Sequence, residues 1–437
     1  MLRREFLQCL ASSAVLAEPS GRPNILVMLC DDLGYGDLEC YGHPVIKTPN
    51  LNRLAEEGVK FTDFYAAAPV CSPSRTGMLT GRTPNRAGVY DWIPAGSPMH
   101  MPRSEVTIAS LLRSAGYATC HVGKWHCNGK FNSPEQPQPN DHGFDHWFST
   151  QNNAAPSHRD PTNFVRNGQR VGPLKGFSSD IIVDEAISWL DRYPKDRPFC
   201  LFVWFHEPHE VVDSPEPLVE GYSRATKKGE ALYYANVAQV DQAVGRLLKK
   251  LDESNYRQST FALFTSDNGP ETLNRYPNAW RSHGSPGPLR GMKLHLYEGG
   301  TRVPGILRWP GRVKPGSVIN TPIGFVDLLP TLCEAAGVAA PRDRRLDGAS
   351  FLPALSGKPL NRKQPLYWQY NHALGEMKVA IRDGDWKLLA DAALNRFELY
   401  NLRTDISEKN DLSAKEPKRL NAMAQVLKDL HADIQKP

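Results

Sequence analysis

The chain has 437 residues, 40% hydrophobic and 23% charged, with a formal net charge of +5 and a mean hydropathy of −0.46. This length supports one large domain with a substantial core and a smaller appendage, and the composition excludes a disulfide-stapled miniprotein, a disordered chain and an internal membrane-spanning helix. The small positive excess would suit an anionic substrate but, spread over this length, reads first as solvated surface, and no nucleic-acid partner is expected.

The first predicted element is a leader. Met1-Leu2-Arg3-Arg4-Glu5-Phe6-Leu7 and the modestly apolar run ending at Leu16-Ala17 read as a twin-arginine export signal over residues 1–17. An exported protein, periplasmic or extracellular, is expected. Cys9 lacks the small neighbours of a lipoprotein box, so neither a lipid anchor nor stable membrane insertion is expected.

Beyond the leader, runs rich in Val, Ile, Phe and Leu alternate with stretches of helical period. This predicts an α/β fold with a mostly parallel sheet flanked by helices. Residues 24–29 form the first buried strand. A helix follows with Thr48 as its N-cap, Pro49 in the first turn and Leu51, Leu54 and Ala55 on one face. Residues 104–115 make a second helix stopped by Gly116, and 118–122 the next strand. Residues 128–176, with many Pro, Asn and Gly, read as long loops near a site mouth. A helix over 181–190, a strand over 199–205, a long helix over 232–251 and a strand over 260–265 complete the alternation. Cys30, Cys120 and Cys200 lie in or beside strand-like runs, where buried free thiols are expected; the cysteine spacings assign no disulfide.

After about Gly337 the pattern changes. Strand candidates at 365–370, 379–382, 386–389 and 397–400, then an amphipathic helix from about 415 to 430, predict a small antiparallel sheet with a helix packed on it. The expected division is therefore a catalytic unit at 20–337 and a C-terminal α+β subdomain at 338–437.

The residues able to do chemistry cluster just past the carboxyl ends of predicted strands: Asp31 and Asp32, Lys124 and His126, His206 and His209, Asp267 and Asn268. In an open α/β sheet those ends form the ligand crevice, so four distant segments are expected to converge. Three carboxylates and an amide oxygen, without clustered thiolates or histidines, argue for Ca²⁺ or Mg²⁺ over Zn²⁺. Cys71 begins Cys71-Ser72-Pro73-Ser74-Arg75, which reads as a helix start with Ser72 able to cap and Arg75 one turn on, favouring negative charge beside the cysteine.

Cys71-Ser72-Pro73-Ser74-Arg75 with Leu79-Thr80-Gly81-Arg82 resembles the signature of the sulfatase family, C-x-P-S-R…L-T-G-R. Gly123-Lys124-Trp125-His126, His206-Glu207-Pro208-His209, Gly291-Met292-Lys293 and Glu298-Gly299-Gly300-Thr301-Arg302 are similar to further family motifs, in family order. Gly143-Phe144-Asp145-His146-Trp147-Phe148 places the likeness nearest the arylsulfatase A and N-acetylgalactosamine-6-sulfatase branch. The resemblance implies an alkaline-phosphatase-like fold and hydrolysis of a sulfate ester of a small molecule or glycan. It implies Ca²⁺, with Mg²⁺ second, held by Asp31, Asp32, Cys71, Asp267 and Asn268. It also implies Cys71 oxidised to formylglycine by a formylglycine-generating enzyme, with Arg75, Lys124, His126, His209 and Lys293 completing the catalytic set. His209 is preferred to His206 because the family's histidine follows the proline, and Glu298 and Arg302 are expected to be structural. Two alternatives use the same residues: a phosphatase or phosphonate hydrolase of the same superfamily, and a non-catalytic homologue that binds sulfated glycans.

Overall fold

The computed structural model describes residues 21–436, so the proposed leader lies outside the described residues. In chain order the main elements are β1 (Asn24–Asp31), α1 (Pro49–Glu57), β2 (Val59–Tyr65), α2 (Cys71–Thr80), α3 (Ile108–Ser114), β3 (Ala118–Lys124), β4 (His146–Thr150), α4 (Ser178–Arg192), β5 (Phe199–Pro208), α5 (Glu230–Glu253), β6 (Thr260–Ser266) and β7 (Arg302–Arg308). They build an eleven-stranded mixed sheet whose central order is β2-β7-β6-β1-β5-β3-β4, with short strands extending both edges. From β6 to β4 neighbouring strands are parallel, while β7 runs antiparallel to both β6 and β2. This is the alkaline-phosphatase-like architecture.

Alternation along the strands sorts the core into two layers. Ile25, Val27 and Leu29 face α2 and α3, whereas Leu26, Met28 and Cys30 face α1, α4 and α5. Every residue of β1 is buried, as expected of a central strand covered on both faces. A second sheet, β8 (Leu366–Gln369), β9 (Met377–Asp383), β10 (Trp386–Asp391) and β11 (Phe397–Asn401), is antiparallel, and α6 (Pro417–Ile434) covers one face of it through Leu427, Leu430 and Ile434. Its other face, including Trp368, Ala380 and Leu389, packs on Tyr65, Val70 and Leu296 of the large sheet's unit. No described helix is long and apolar enough to cross a membrane.

Local details depart from the sequence expectation where a distant residue supplies the partner. Thr48 precedes α1, but its hydroxyl accepts from the Glu39 N–H (3.1 Å); the first-turn N–H groups of Asn50 and Leu51 are capped instead by Asp241, from α5. Ser72 is inside α2, not its cap, and accepts from the Ile93 N–H (3.1 Å). The second helix begins at Ile108, four residues late, because Thr107 and Ser110 form a capping box there. The region expected to be loops contains β4, buried between β3 and an edge hairpin. Cys30, Cys120 and Cys200 are buried and free.

Candidate active site

Strand register brings the polar segments together. Asp31 ends β1, whose neighbours β5 and β6 end at Pro208 and Ser266, and Lys124 ends β3 beside β5. Asp32 adopts φ 62, a left-handed turn that an aspartate tolerates better than most side chains. Its N–H donates to Asp267 Oδ1 (3.2 Å), and Leu33 N–H donates to Ser266 Oγ (2.9 Å), so two strand ends lock to each other. Two glycines permit close backbone approach. A Cβ on Gly123 would meet the Trp204 carbonyl at 1.8 Å, and one on Gly269 would meet the Gly299 carbonyl at 1.8 Å.

Cys71 is the first residue of α2, whose ten residues are all buried. Its Sγ lies 3.4 Å from Asp31 Oδ1. Ligand atoms of Asp31, Asp32, Cys71 and His209 all lie within 4.8 Å of one another. Asn268 joins this group through Nδ2, which donates to Asp32 Oδ1 (2.6 Å), while its buried Oδ1 has no hydrogen-bond partner. Asp267 turns one oxygen to Arg75, whose Nε donates to Oδ2 (2.9 Å) with Nη2 2.7 Å from the same oxygen, while Oδ1 stays beside Asp32. An orphaned amide oxygen beside carboxylates is a donor set that fits a hard divalent cation.

The three carboxylates face three buried cations. Lys124 Nζ donates to Asp31 Oδ2 (2.5 Å) and to Asn153 Oδ1 (3.3 Å). Lys293 Nζ donates to Asp32 Oδ2 (2.7 Å) and lies 3.6 Å from Glu271 Oε2. Arg75 also donates through Nη1 to the Lys124 carbonyl (2.9 Å) and stacks on Trp204, with its guanidinium carbon 5.1 Å from the ring centroid. Burial pushes every one of these carboxyls up, but at Asp31 the charges of Lys124, His209, Arg75 and Lys293 overcome it and hold the group well below its usual range. Asp32 is raised to about 6 by burial, against the pull of Lys293. Asp267 is raised to about 7 by burial and the Asp31 charge. Burial and Asp31 also push the Cys71 thiol far up, which keeps it protonated and makes the unmodified side chain a weak nucleophile.

Both site histidines are held neutral. Burial, then the charges of Lys124 and Arg75, push His126 well below its usual value. Burial, then Lys293, lowers His209 to about 3. His126 Nε2 faces the Ile93 carbonyl (3.0 Å), which only accepts, so that nitrogen carries the proton and the buried, partnerless Nδ1 is free to accept one. His209 Nδ1 likewise donates to the Glu210 carbonyl (2.9 Å), leaving Nε2 3.5 Å from Asp32 Oδ2. His206 belongs to the interior, bonded to Thr150 and Ser178 (2.7 and 2.6 Å). Glu298 and Arg302 form an ion pair away from the crevice, with Glu298 also bonded to Tyr65 and Lys387.

Over this centre opens a cavity of about 480 Å³, lined among others by Val70, Trp92, Asn153, His209, Lys293 and Tyr370. Groups in and under its wall escaped sequence reasoning: Arg275 and, from the C-terminal sheet, Tyr370, whose hydroxyl donates to Asp91 (2.9 Å), both line it, and Glu271 lies behind them against Lys293 and Arg275. Glu271 and Arg275 sit in a loop without periodicity or motif, and Tyr370 directly follows the strand Leu366–Gln369, where no local signal marks it as facing the cavity.

Residues 23–338 match the family model described as Sulfatase, and 292–436 match one described as N-sulphoglucosamine sulphohydrolase, C-terminal. The chain is 35% identical over 392 residues to the N-acetylgalactosamine-6-sulfatase of Canis lupus familiaris, covering 84% of this chain and 71% of that one. It is 35% identical over 415 residues to human arylsulfatase A, covering 88% and 77%. Among solved structures, Ps i-CgsB in complex with k-i-k-neocarrahexaose superimposes with a TM-score of 0.82 at 28% identity, covering 93% of each chain.

Proposed function

Because the chain belongs to the sulfatase family of sulfuric ester hydrolases, we propose that it releases inorganic sulfate from a sulfated sugar or glycan, using a formylglycine hydrate made from Cys71 and one bound divalent cation. The observation that carries this reading is the buried group of Asp31, Asp32, Cys71 and His209, with ligand atoms within 4.8 Å of one another, beneath a cavity whose wall includes Lys293. The sugar is inferred from the names of the relatives.

In this reading Asp31, Asp32, Asp267 and Asn268 hold Ca²⁺ in preference to Mg²⁺, since carboxylate and amide oxygens suit a hard cation with flexible geometry. When present, the hydrate and the cation supply an ionisable oxygen nucleophile at neutral pH and the positive field that favours its charged form. The amino end of α2 adds the partial positive charge of its free N–H groups beside residue 71. Lys124 and Lys293 balance charge on the sulfuryl oxygens, and Arg75 adds to that field while holding Asp267 in place. His209 acts through Nε2. It is neutral before substrate arrives, so the negative charge of the ester must raise its proton affinity before it protonates the departing alcohol. His126 Nδ1 takes the proton whose loss accompanies sulfate release. Catalysis resides in the unit at 20–337, and the subdomain at 338–437 completes the cavity mouth through Tyr370. Export and maturation by a formylglycine-generating enzyme belong to the same proposal.

The test combines two measurements on purified protein: peptide mass spectrometry across residue 71, and release of sulfate against phosphate from matched monoesters. Formylglycine with sulfate release, abolished by chelation and restored better by Ca²⁺ than by Mg²⁺, is expected. An intact thiol throughout active material would overturn the nucleophile, and preferential phosphate release would make the protein a phosphomonoesterase.

A further inference from the structure

Arg275 is placed for recognition and has no part in the mechanism above. It lines the cavity that contains His209 and Lys293, and a third of its side chain is exposed (34%). Its side-on edge is consumed: Nε donates to Glu271 Oε1 and Nη2 to Glu271 Oε2, both at 2.7 Å. Its plane lies over Tyr276, with the guanidinium carbon 5.0 Å from the ring centroid. Glu271 is itself nearly buried (3%) and reaches Lys293 at 3.6 Å, so the arginine is tied to the lysine of the catalytic floor. A bidentate carboxylate and an aromatic face fix a side chain that otherwise carries much rotamer freedom. What remains is the end-on edge, Nη1 with the second N–H of Nη2, and Nη1 has no bonded partner among the described residues.

We infer that Arg275 is a specificity-determining residue that grips a second oxyanion of the substrate, a sulfate or a carboxylate near the ester being cleaved. Two parallel N–H groups match two oxygens of such a group and only one oxygen of a hydroxyl. The charges nearby permit it, because the two carboxylates beneath the wall, Glu271 and Asp32, are matched by the two cations Arg275 and Lys293 and present no net negative charge to an incoming anion. The other carboxylates of the wall, Asp91 and Glu210, have donors or a cation of their own. Asp91 accepts from Trp92 N–H, Tyr370 hydroxyl and His372 Nδ1, and Glu210 accepts from the Ser282 hydroxyl through Oε1 while its buried Oε2, without a hydrogen bond, faces Arg281 Nη1 at 3.8 Å. The favoured substrates are thus sugars carrying more than one negative charge. This rests on the sulfatase reading and deepens it.

The experiment compares the intact protein with Arg275→Gln and Arg275→Lys on three probes: a monosulfated hexosamine, its disulfated form, and a monosulfated disaccharide containing a uronate. The wild type is expected to prefer one doubly charged probe by about tenfold or more in kcat/KM, chiefly through KM, the scale of one charge-assisted bidentate contact. Arg275→Gln should collapse that ratio to within about twofold, and Arg275→Lys, which keeps the charge and loses the fork, should retain part of it. Which probe responds identifies sulfate or carboxylate as the second group. A wild type without preference, or a glutamine variant that lowers kcat equally on all probes through Glu271 and Lys293, overturns the inference. If the wild type releases sulfate from none of them, the sulfatase reading fails separately. Calorimetric binding of the mono- and disulfated probes then decides on Arg275 alone, with tighter binding of the disulfated probe lost in the glutamine variant supporting it, and equal binding refuting it.

Discussion

Two buried ionic clusters sit at opposite sides of this molecule's chemistry. At the seam between the two sheets, Glu298 binds Lys387 (2.9 Å) through one oxygen and Tyr65 (2.6 Å) and Arg302 (3.2 Å) through the other. Asp63 divides its oxygens between Arg382 (2.6 Å) and Arg302 (3.0 Å). At the crevice, Asp31, Asp32 and Asp267 face Lys124, Lys293 and Arg75, but Asn268 Oδ1 and His126 Nδ1 lack partners and a cavity opens above. The residue types are the same and the burial is similar. The seam's two atoms without hydrogen bonds, Arg382 Nη1 and Glu408 Oε1, still face opposite charges, Glu298 at 3.7 Å and Lys387 at 3.0 Å, whereas the crevice leaves two acceptors, Asn268 Oδ1 and His126 Nδ1, without a partner beneath an open cavity, and that unspent accepting capacity sets the candidate site apart from the seam.

Exchanging the reactive atom should break the comparison most sharply. Cys71→Ala is expected to lower sulfate release by about 10⁴-fold or more with the melting temperature nearly unchanged, because the side chain lost is small and its chemistry irreplaceable. A thermal melt beside a sulfate assay checks both halves. Lys387→Met should do the reverse, removing a fully buried cation from between Glu298 and Glu408. The loss expected in denaturant unfolding is about 3–5 kcal/mol, with the surviving folded fraction still active. Between these lies Lys293→Ala, expected to reduce kcat/KM by about 10²–10³-fold, the scale of removing one preorganised charge from a transition state. A stability loss larger than that of Lys387→Met would erase the distinction drawn here.

The smallest effect is a pH slope. Burial, against the pull of Lys387, raises Glu408 to about 7, so the folded seam holds a proton that the unfolded chain releases near the ordinary glutamate value of about 4.3. Its contribution is therefore fully present below that lower value and declines as pH rises toward about 7. Glu408→Gln should flatten this part of the stability-versus-pH curve, measured by urea unfolding at fixed salt. An unchanged slope would assign the pH dependence elsewhere.

Much of the site was legible in the chain because its residues sit at the ends of strands that announce themselves. Ile25 to Cys30 and Phe261 to Phe264 are uninterrupted apolar runs shortly before acidic turns, and sheet topology carries such turns to one edge. Elsewhere the signal failed for identifiable reasons. Thr48 does hold the N-cap position before Pro49, but the side chain that accepts from the first-turn N–H groups is Asp241, about 190 positions away. The strand His146–Thr150 is five residues long and hidden among turn formers. Glu271 and Arg275 occupy an aperiodic loop, and only the folded backbone brings the pair against Lys293.

By itself the sequence determined the α/β alternation, the appended antiparallel sheet and the identity of the groups around residue 71, since burial periodicity and strand-end chemistry are local properties. Tertiary structure alone decided which of those groups touch, that Asp267 pairs with Arg75 while Asn268 keeps an oxygen free, and that Tyr370 lines the cavity. Contacts between residues hundreds of positions apart depend on strand order and register, which no short stretch of chain encodes.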